Sequence, residues 1–431
     1  MVDLSPTRAW HPNPSVADPS ELVCPVYDTL SDSDLIRFAR HPSNAAQFVP
    51  RPRTVPVGEF VRSAVGRLEE ALRAGAYQRD ERPSYYVYGI RYVPPADIVE
   101  TIAPAARRPE YLLLGLVGAL DFAKLGHDTV ALHERTFDDR VDERVALTDA
   151  TGKTFAPILA GYHQPDHKLN DELERRLGLD RRGLSFNSTV PPVAEATLDG
   201  TTHRLWRIDD PEAVESLRSI VADLRLLILD GHHRFTAAAH RHYEGRPTAP
   251  LTMLVNGQDR ALQLLPWHRV LPVTTVPFEE MVTAARKEFP TVLSVDPPVS
   301  PAAAILRLAE MRAEGHRGFL ASDGESCYEV RGAPSDDVGA DFDLLHGFLE
   351  GRLRVDPHEL EFVRSPRAAF DRVRAGHGPA EVGTALLLPS LTEHGIEVRA
   401  FGTGAVMAHK STMFLPKVAE GMLFASADPR E

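Results

Sequence analysis

The chain has 431 residues, 43% of them hydrophobic, with 48 Lys and Arg against 61 Asp and Glu, a formal net charge of −13. A chain of this length can form two or three structural units with sizeable cores. The acidic balance and the lack of any basic block count against sequence-independent nucleic-acid binding, which needs cations clustered on phosphates. The two cysteines, Cys24 and Cys327, lie far apart and suggest neither a disulfide framework nor a zinc knuckle. The N-terminus has no cationic start followed by an apolar stretch, and no run of about 18 apolar residues occurs later. A cytoplasmic protein without membrane contact is expected.

Residues 1–22 are rich in proline and read as a poorly ordered or surface-hugging arm. An amphipathic helix is expected over 60–74 and an aromatic strand over 84–92, SYYVYGIRY. The apolar stretch 111–120 fits either state. A strand at 129–132 precedes a charged helix at 137–148, and the short apolar run 226–229 reads as a buried strand running into a small-residue helix. Sequence character changes at 271–280, LPVTTVPFEE. Beyond it, helix candidates at 278–289, 300–314, 341–353 and 366–375 alternate with strand candidates at 317–321, 326–331 and 384–388. The pattern is α/β, in the sense of mixed α+β, with an arm (1–22), a first region (23–272) and a C-terminal α/β subdomain (273–431).

The densest chemistry lies at Asp230-Gly231-His232-His233-Arg234, between the buried strand and the helix. Free backbone N–H groups and the helix dipole favour an anion there, and imidazole and guanidinium donors add to them. Two other readings stay open: a metal held by His233 and His240, seven apart on one helix face, and a plain turn with Asp230 as N-cap.

In TVALHERTFDDRVDER, residues 129–144, the strand delivers His133 and Glu134 to a turn. Glu134 is a candidate general base, with His133 or Arg135 orienting it or a phosphate. Thr136 and Asp139 have capping-box spacing, and Arg140 with Arg144 would share a solvated helix face. The stretch GTGAVMAHKSTMFLPK, residues 402–417, nearly matches a phosphate-binding P-loop. His409 occupies its last glycine position, however, and the residues after Lys410 alternate like a strand until Pro416. The Walker-type reading is rejected, while Lys410, Ser411 and Thr412 remain candidates for contact with a phosphate or a substrate carboxylate. His268 and Arg269, after the apolar run in LLPWHRVLP, either line the same pocket or cap a strand. Tyr27-Asp28 reads as a turn.

The DGHHR stretch with its small-residue helix resembles the phosphate-binding box of the ParB and sulfiredoxin-like proteins, especially their free-serine kinases. The chain as a whole, over roughly residues 20 to 427, resembles the bacterial and archaeal family of unknown function numbered 1015. The resemblance rests on the order and spacing of Pro25-Val26-Tyr27-Asp28, His133-Glu134-Arg135-Thr136, Asp230 to Arg234, Pro266-Trp267-His268-Arg269, and Lys410-Ser411-Thr412 with Phe414 and Pro416-Lys417. Trp267 stands where a small hydroxyl residue is usual, and His409 where a glutamine is usual.

The resemblance implies a ParB/sulfiredoxin-like phosphate-binding core and a nucleotide-dependent phosphotransferase. It would use ATP or ADP, or CTP, with Mg²⁺, and act on a small hydroxyl metabolite, a free amino acid such as serine. Glu134, Asp230 and His233 would be its catalytic residues, and Gly231, His232, His233 and Arg234 would hold the nucleotide. His133, Thr136, His268, Arg269, Lys410, Ser411 and Thr412 would meet the substrate. The alternative is a ParB-type switch that binds nucleotide without productive transfer. A DNA-associated protein is disfavoured by the charge and by the lack of any evident helix-turn-helix. No resident metal is expected.

Overall fold

The structure, a computed structural model, describes residues 2–102, 110–126, 128–179, 187–296, 300–374 and 383–431. Its largest sheet has nine strands: β1 (Leu4–Ser5), β2 (Tyr85–Tyr92), β3 (Tyr111–Leu120), β4 (Val130–Ala131), β5 (Ile158–Tyr162), β6 (Ala194–Leu198), β7 (Thr201–Ile208), β8 (Leu226–Asp230) and β9 (Leu251–Asn256). They run in the order β6-β7-β2-β3-β9-β5-β8-β4, with β1 added to β3. Alternation explains why β3, and β2 apart from Arg91, are apolar throughout. Tyr86, Tyr88 and Ile90 face one core, and Tyr85 and Val87 face another across the sheet, so both faces are covered. The stretch 111–120 is thus a strand: its even and odd residues serve different cores, which a helix stripe could not do.

A second sheet holds β10 (His268–Leu271), β11 (Thr291–Val295), β12 (Arg317–Ser322), β13 (Cys327–Gly332), β14 (Glu361–Val363) and β15 (Thr384–Leu387), in the order β11-β13-β12-β15-β10-β14. Mixed α/β architecture is therefore what the chain adopts. The expected helices lie at Val57–Arg73, Asp138–Thr151, Phe278–Glu288, Pro301–Ala313 and Pro366–Arg374, with residue 375 outside the described residues. The 341–353 candidate is Ala340–His346 followed by a π-helical turn at Gly347–Arg352. Both cysteines are free and buried.

Two expectations about organisation are corrected. Residues 1–22 are not an arm: β1 pairs with β3, and Trp10–Pro12 pairs with Tyr77–Arg79 and with Phe424, leaving Leu4, Ala9 and His11 buried. The prolines keep these strands short, but the apolar residues between them are core. Nor does everything after 273 form one unit. Thr412–Leu415 pairs with Gln263–Pro266, Ala419–Glu420 with Cys24–Pro25, and Phe424–Ser426 with Lys153–Phe155. The C-terminal strands thus return to the first sheet's side of the molecule, and that return builds the site. Among the described residues no helix is long and apolar enough to cross a membrane.

Candidate active site

Strand β8 buries Leu226 to Leu229 and ends at Asp230. Gly231 then takes φ +88°, a left-handed conformation open to glycine, and helix α2 (His232–Tyr243) begins. A Cβ at Gly231 would also lie 2.9 Å from the Arg234 guanidinium. No side chain caps α2; Gly231 stands at the N-cap position, so Asp230 is not the cap, contrary to the turn reading. Asp230 instead pairs with Lys417 and, at 3.2 Å, with Arg234.

His133 and Glu134 come alongside through backbone pairing with Met407: Met407 N–H donates to His133 C=O at 2.8 Å, and Arg135 N–H donates to Met407 C=O at 3.0 Å. This lays the 410–412 segment beside Glu134. Lys410 sits in the left-handed region at φ +53°, a conformation that costs a non-glycine residue about 1 kcal/mol or more. Its Nζ lies 5.5 Å from the centre of the Trp267 ring.

Glu134 is buried, and Oε1 accepts from both the backbone N–H of Thr412, at 2.5 Å, and the Thr412 hydroxyl. Burial pushes its carboxyl up to about 6, against the Thr412 hydrogen bonds and the charges of Lys410 and Arg269, which pull it down. The Thr412 hydroxyl also lies 2.8 Å from Nε2 of His133, whose Nδ1 is 3.3 Å from Nε2 of His232. With Glu134 ionised, the hydroxyl donates to it and His133 presents Nε2–H to Thr412. Both histidines are neutral: burial holds His133 at about 3 and His232 well below its ordinary value. His232 is thus not one of the cations its position in the sequence suggested.

A cleft opens onto this assembly. Of the expected residues, Glu134, Asp230, Gly231, His232, His233, Arg234, Lys410 and Thr412 line it, and His133 stands directly behind Thr412. Its charge is opposite to that of the chain. Arg135, Arg234, Lys410 and Lys417 line it against two acids, in a protein of net charge −13. Such a lining favours an anionic ligand.

Four expected contacts are not brought to the cleft. His268 is buried in β10, where Nδ1 accepts from Leu388 N–H at 3.1 Å. Arg269 is fully buried and holds His346 Nε2 at 3.0 Å, the Trp267 carbonyl, and the His409 carbonyl at 3.0 Å, which makes it a counter-charge behind Glu134. The Ser411 hydroxyl is buried and donates to the Ala408 carbonyl at 2.8 Å. Thr136 meets His409 through its carbonyl, at 3.3 Å, and lies outside the lining.

Arg234 lines the cleft, but its fork faces the protein. Nη1 donates to the carbonyls of Ala156 and Pro157, at 2.9 Å each. His233 accepts from the backbone N–H of Phe137 at 3.1 Å through Nε2, which puts its proton on Nδ1. It thereby holds the start of helix α1 (Asp138–Thr151), whose N-cap, Phe137, has no side-chain cap. The capping box read from Thr136 and Asp139 does not form. Arg144 is likewise not solvated: it is buried against Glu143, the Val49 carbonyl and the Tyr27 ring.

Tyr27, Phe137, Leu229, Trp267 and Lys417 also line the cleft, and the sequence alone assigns none of them a role there. For Trp267 and Lys417 the signal was present in the ordered motifs. In sequence Tyr27 reads as a turn residue, and Phe137 only as the start of a helix. Among the described residues no group of three or more His, Cys, Asp or Glu could hold a metal ion, and His240 is exposed further along α2.

The sequence matches the family described as "Protein of unknown function (DUF1015)" over residues 4–341. No curated protein matches it. Among solved structures, a free serine kinase in complex with AMP aligns at 13% identity over 67% of this chain and 84% of its own, with a TM-score of 0.37. A conserved hypothetical protein from Pyrococcus furiosus aligns at 12% identity over 67% and 88%, with a TM-score of 0.35. SbnI from Staphylococcus aureus, with a C-terminal truncation, aligns at 11% over 70% and 84%, with a TM-score of 0.36. Likeness at this level carries no argument about chemistry.

Proposed function

We propose, for a chain that belongs to the family described as protein of unknown function (DUF1015), that the cleft transfers a phosphoryl group from a nucleotide to the hydroxyl of a small metabolite, a free amino acid such as serine. One observation carries the reading: a single buried carboxyl, Glu134, is raised to about 6 inside a cleft otherwise dominated by cations. Phosphoryl transfer needs little more from a protein than charge on the phosphates, an in-line hydroxyl and a base.

In this reading the acceptor O–H gives its proton to Glu134, and its oxygen bonds to the terminal phosphorus of ATP or ADP. The bond from that phosphorus to its bridging oxygen breaks, and ADP or AMP leaves with the electron pair. Lys410, Lys417 and Arg135 hold the phosphates, and the N-terminus of α2 supplies backbone N–H groups. Thr412 holds Glu134 through its backbone N–H and its hydroxyl, and His133 in turn holds that hydroxyl. Nucleotide-bound Mg²⁺ would neutralise phosphate charge, and Asp230, the carboxylate at the α2 end of the cleft, would help to hold it.

The test is phosphorus NMR of the purified protein with Mg²⁺, nucleotide and amino acid. Serine should give a new phosphomonoester signal and alanine none. Nucleotide binding, seen as a raised thermal midpoint, without any phosphorylated product from serine or other hydroxyl acceptors would replace this reading with a nucleotide switch.

A further inference from the structure

Of the four cations that line the cleft, Arg135 is the most exposed, with 43% of its side chain open to solvent. Its backbone is fixed by the bond from its N–H to the Met407 carbonyl, so any swing of Arg135 is a swing of the side chain alone. Among the described residues its guanidinium has one hydrogen-bond partner, Glu350, to whose Oε1 its Nη2 donates at 3.3 Å. That contact is single, and it is long for a charge-assisted bond, which runs about 2.7 to 2.9 Å. A guanidinium gains most from an acceptor that takes two of its N–H groups at once.

Glu350 is held more firmly, and from the other side. It stands in the π-helical turn Gly347–Arg352, a kind of irregularity that recurs at functional sites. Its Oε1 lies 2.7 Å from Nδ1 of His346, and Nε2 of the same ring lies 3.1 Å from Nε and 3.0 Å from Nη2 of Arg269. A guanidinium only donates, so Nε2 carries no proton and Nδ1–H donates to Glu350. Arg269 is fully buried and anchored on the Trp267 and His409 carbonyls. The chain from Arg269 through His346 thus fixes the carboxylate from within the protein, while Arg135 reaches it from the cleft, whose lining Glu350 does not join.

We propose that Glu350 is a positioning residue: it parks the Arg135 side chain beside the cleft, and the phosphates of an entering nucleotide draw Arg135 off it. The inference rests on the reading of the cleft cations as phosphate ligands. A partly exposed, single-point ion pair contributes little, whereas two phosphate oxygens engage the guanidinium fork together, so the exchange favours the nucleotide. Glu350 keeps its bond from His346 and stays in place, and Arg135 returns to it when the nucleotide leaves. The carboxylate therefore competes with the phosphates for Arg135 and lowers nucleotide affinity.

Isothermal titration of the full chain with ADP tests it. Glu350→Gln keeps an acceptor for His346 Nδ1–H but gives up the charge that holds Arg135, so it should bind ADP about two- to fivefold tighter than the parent. Arg135→Ala should bind ADP about tenfold weaker. Adding Glu350→Gln to Arg135→Ala should leave the affinity unchanged, because a carboxylate that acts through Arg135 then has nothing to hold, whereas one that only repels phosphate at a distance would tighten both backgrounds equally. Arg135→Ala alone decides the matter if Glu350→Gln does not fold by circular dichroism. The expected pattern with ADP supports the inference even where no serine is phosphorylated. Affinity in Glu350→Gln no tighter than the parent's, equal tightening with and without Arg135, or full affinity in Arg135→Ala would each overturn it while leaving nucleotide binding in place. Absence of ADP binding to the parent would overturn the nucleotide reading and this inference with it.

Discussion

Acidification from about pH 7 to about pH 5.5 should destabilise this protein well before its carboxylates protonate in bulk. Burial holds five histidines neutral: His133 at about 3, His203 at about 4, His268 at about 3, His346 at about 2, and His232 well below the ordinary 6.5. An imidazole whose folded pKa is depressed contributes stability that is complete above its unfolded value and is lost as the pH falls, because the unfolded chain takes the proton first. Over this interval each histidine forfeits about 1.3 kcal/mol, and five forfeit about 6 kcal/mol. Two carboxyls act in the opposite sense. Burial raises Glu134 to about 6 and Glu393 to about 7, so the folded chain protonates first at these groups. Together they return about 2 kcal/mol, with the share of the half-buried Glu393 discounted for solvent screening. The net loss is about 4 kcal/mol, a large part of the stability of an ordinary domain. Urea titrations followed by tryptophan fluorescence, with Trp206 fully buried as a core reporter, should show the midpoint falling steadily across the interval. A midpoint that holds constant or rises would refute the assignment of these histidines as buried and neutral.

Arg234→Lys removes a fork that bridges Ala156, Pro157 and Asp230, so it should cost about 1.5 to 3 kcal/mol in urea stability while nucleotide affinity changes less than about threefold. A stable variant with more than tenfold weaker nucleotide binding would put Arg234 on the phosphate instead. Thr412→Val removes a hydrogen bond that favours ionised Glu134. Because the base must be ionised, kcat/KM should rise with pH through about 6 in the parent, and that acidic limb should move toward neutral pH in the variant. A limb that stays put or moves lower would exclude Glu134 as its source.

The mixed α/β class was legible because β2, β8 and the helices around them carry strong local periodicity. The 230–234 stretch was also legible as a strand-to-helix turn, since Asp-Gly between an apolar run and an alanine-rich helix has few other readings. Which side chains face the cleft was not. His268 follows Trp267 directly, yet Trp267 faces the cleft while His268 is buried, and strand alternation with no known register cannot say which of two neighbours points where. Arg234 and Arg144 looked like surface or ligand cations because nothing nearby in sequence shows that the Ala156 and Val49 carbonyls await them. The positive lining was hidden for the same reason: Arg135, Arg234, Lys410 and Lys417 are scattered through an acidic chain and meet only when the C-terminal strands return. The prolines before residue 22 suggest a poorly ordered or surface-hugging arm, but they only shorten strands whose partners lie as far away as residue 424.

The central claim is that Glu134 acts in the chemistry and not in nucleotide binding, and the most direct test compares Glu134→Gln with the parent in two assays on the same preparation. Glutamine keeps the size and the contact with Thr412 but cannot take a proton. Nucleotide affinity by titration calorimetry should stay within about threefold of the parent, while serine phosphorylation followed by phosphorus NMR should fall by about 10²- to 10⁴-fold, the usual contribution of a positioned base. Transfer at the parental rate, or affinity and transfer lost together, would contradict the account.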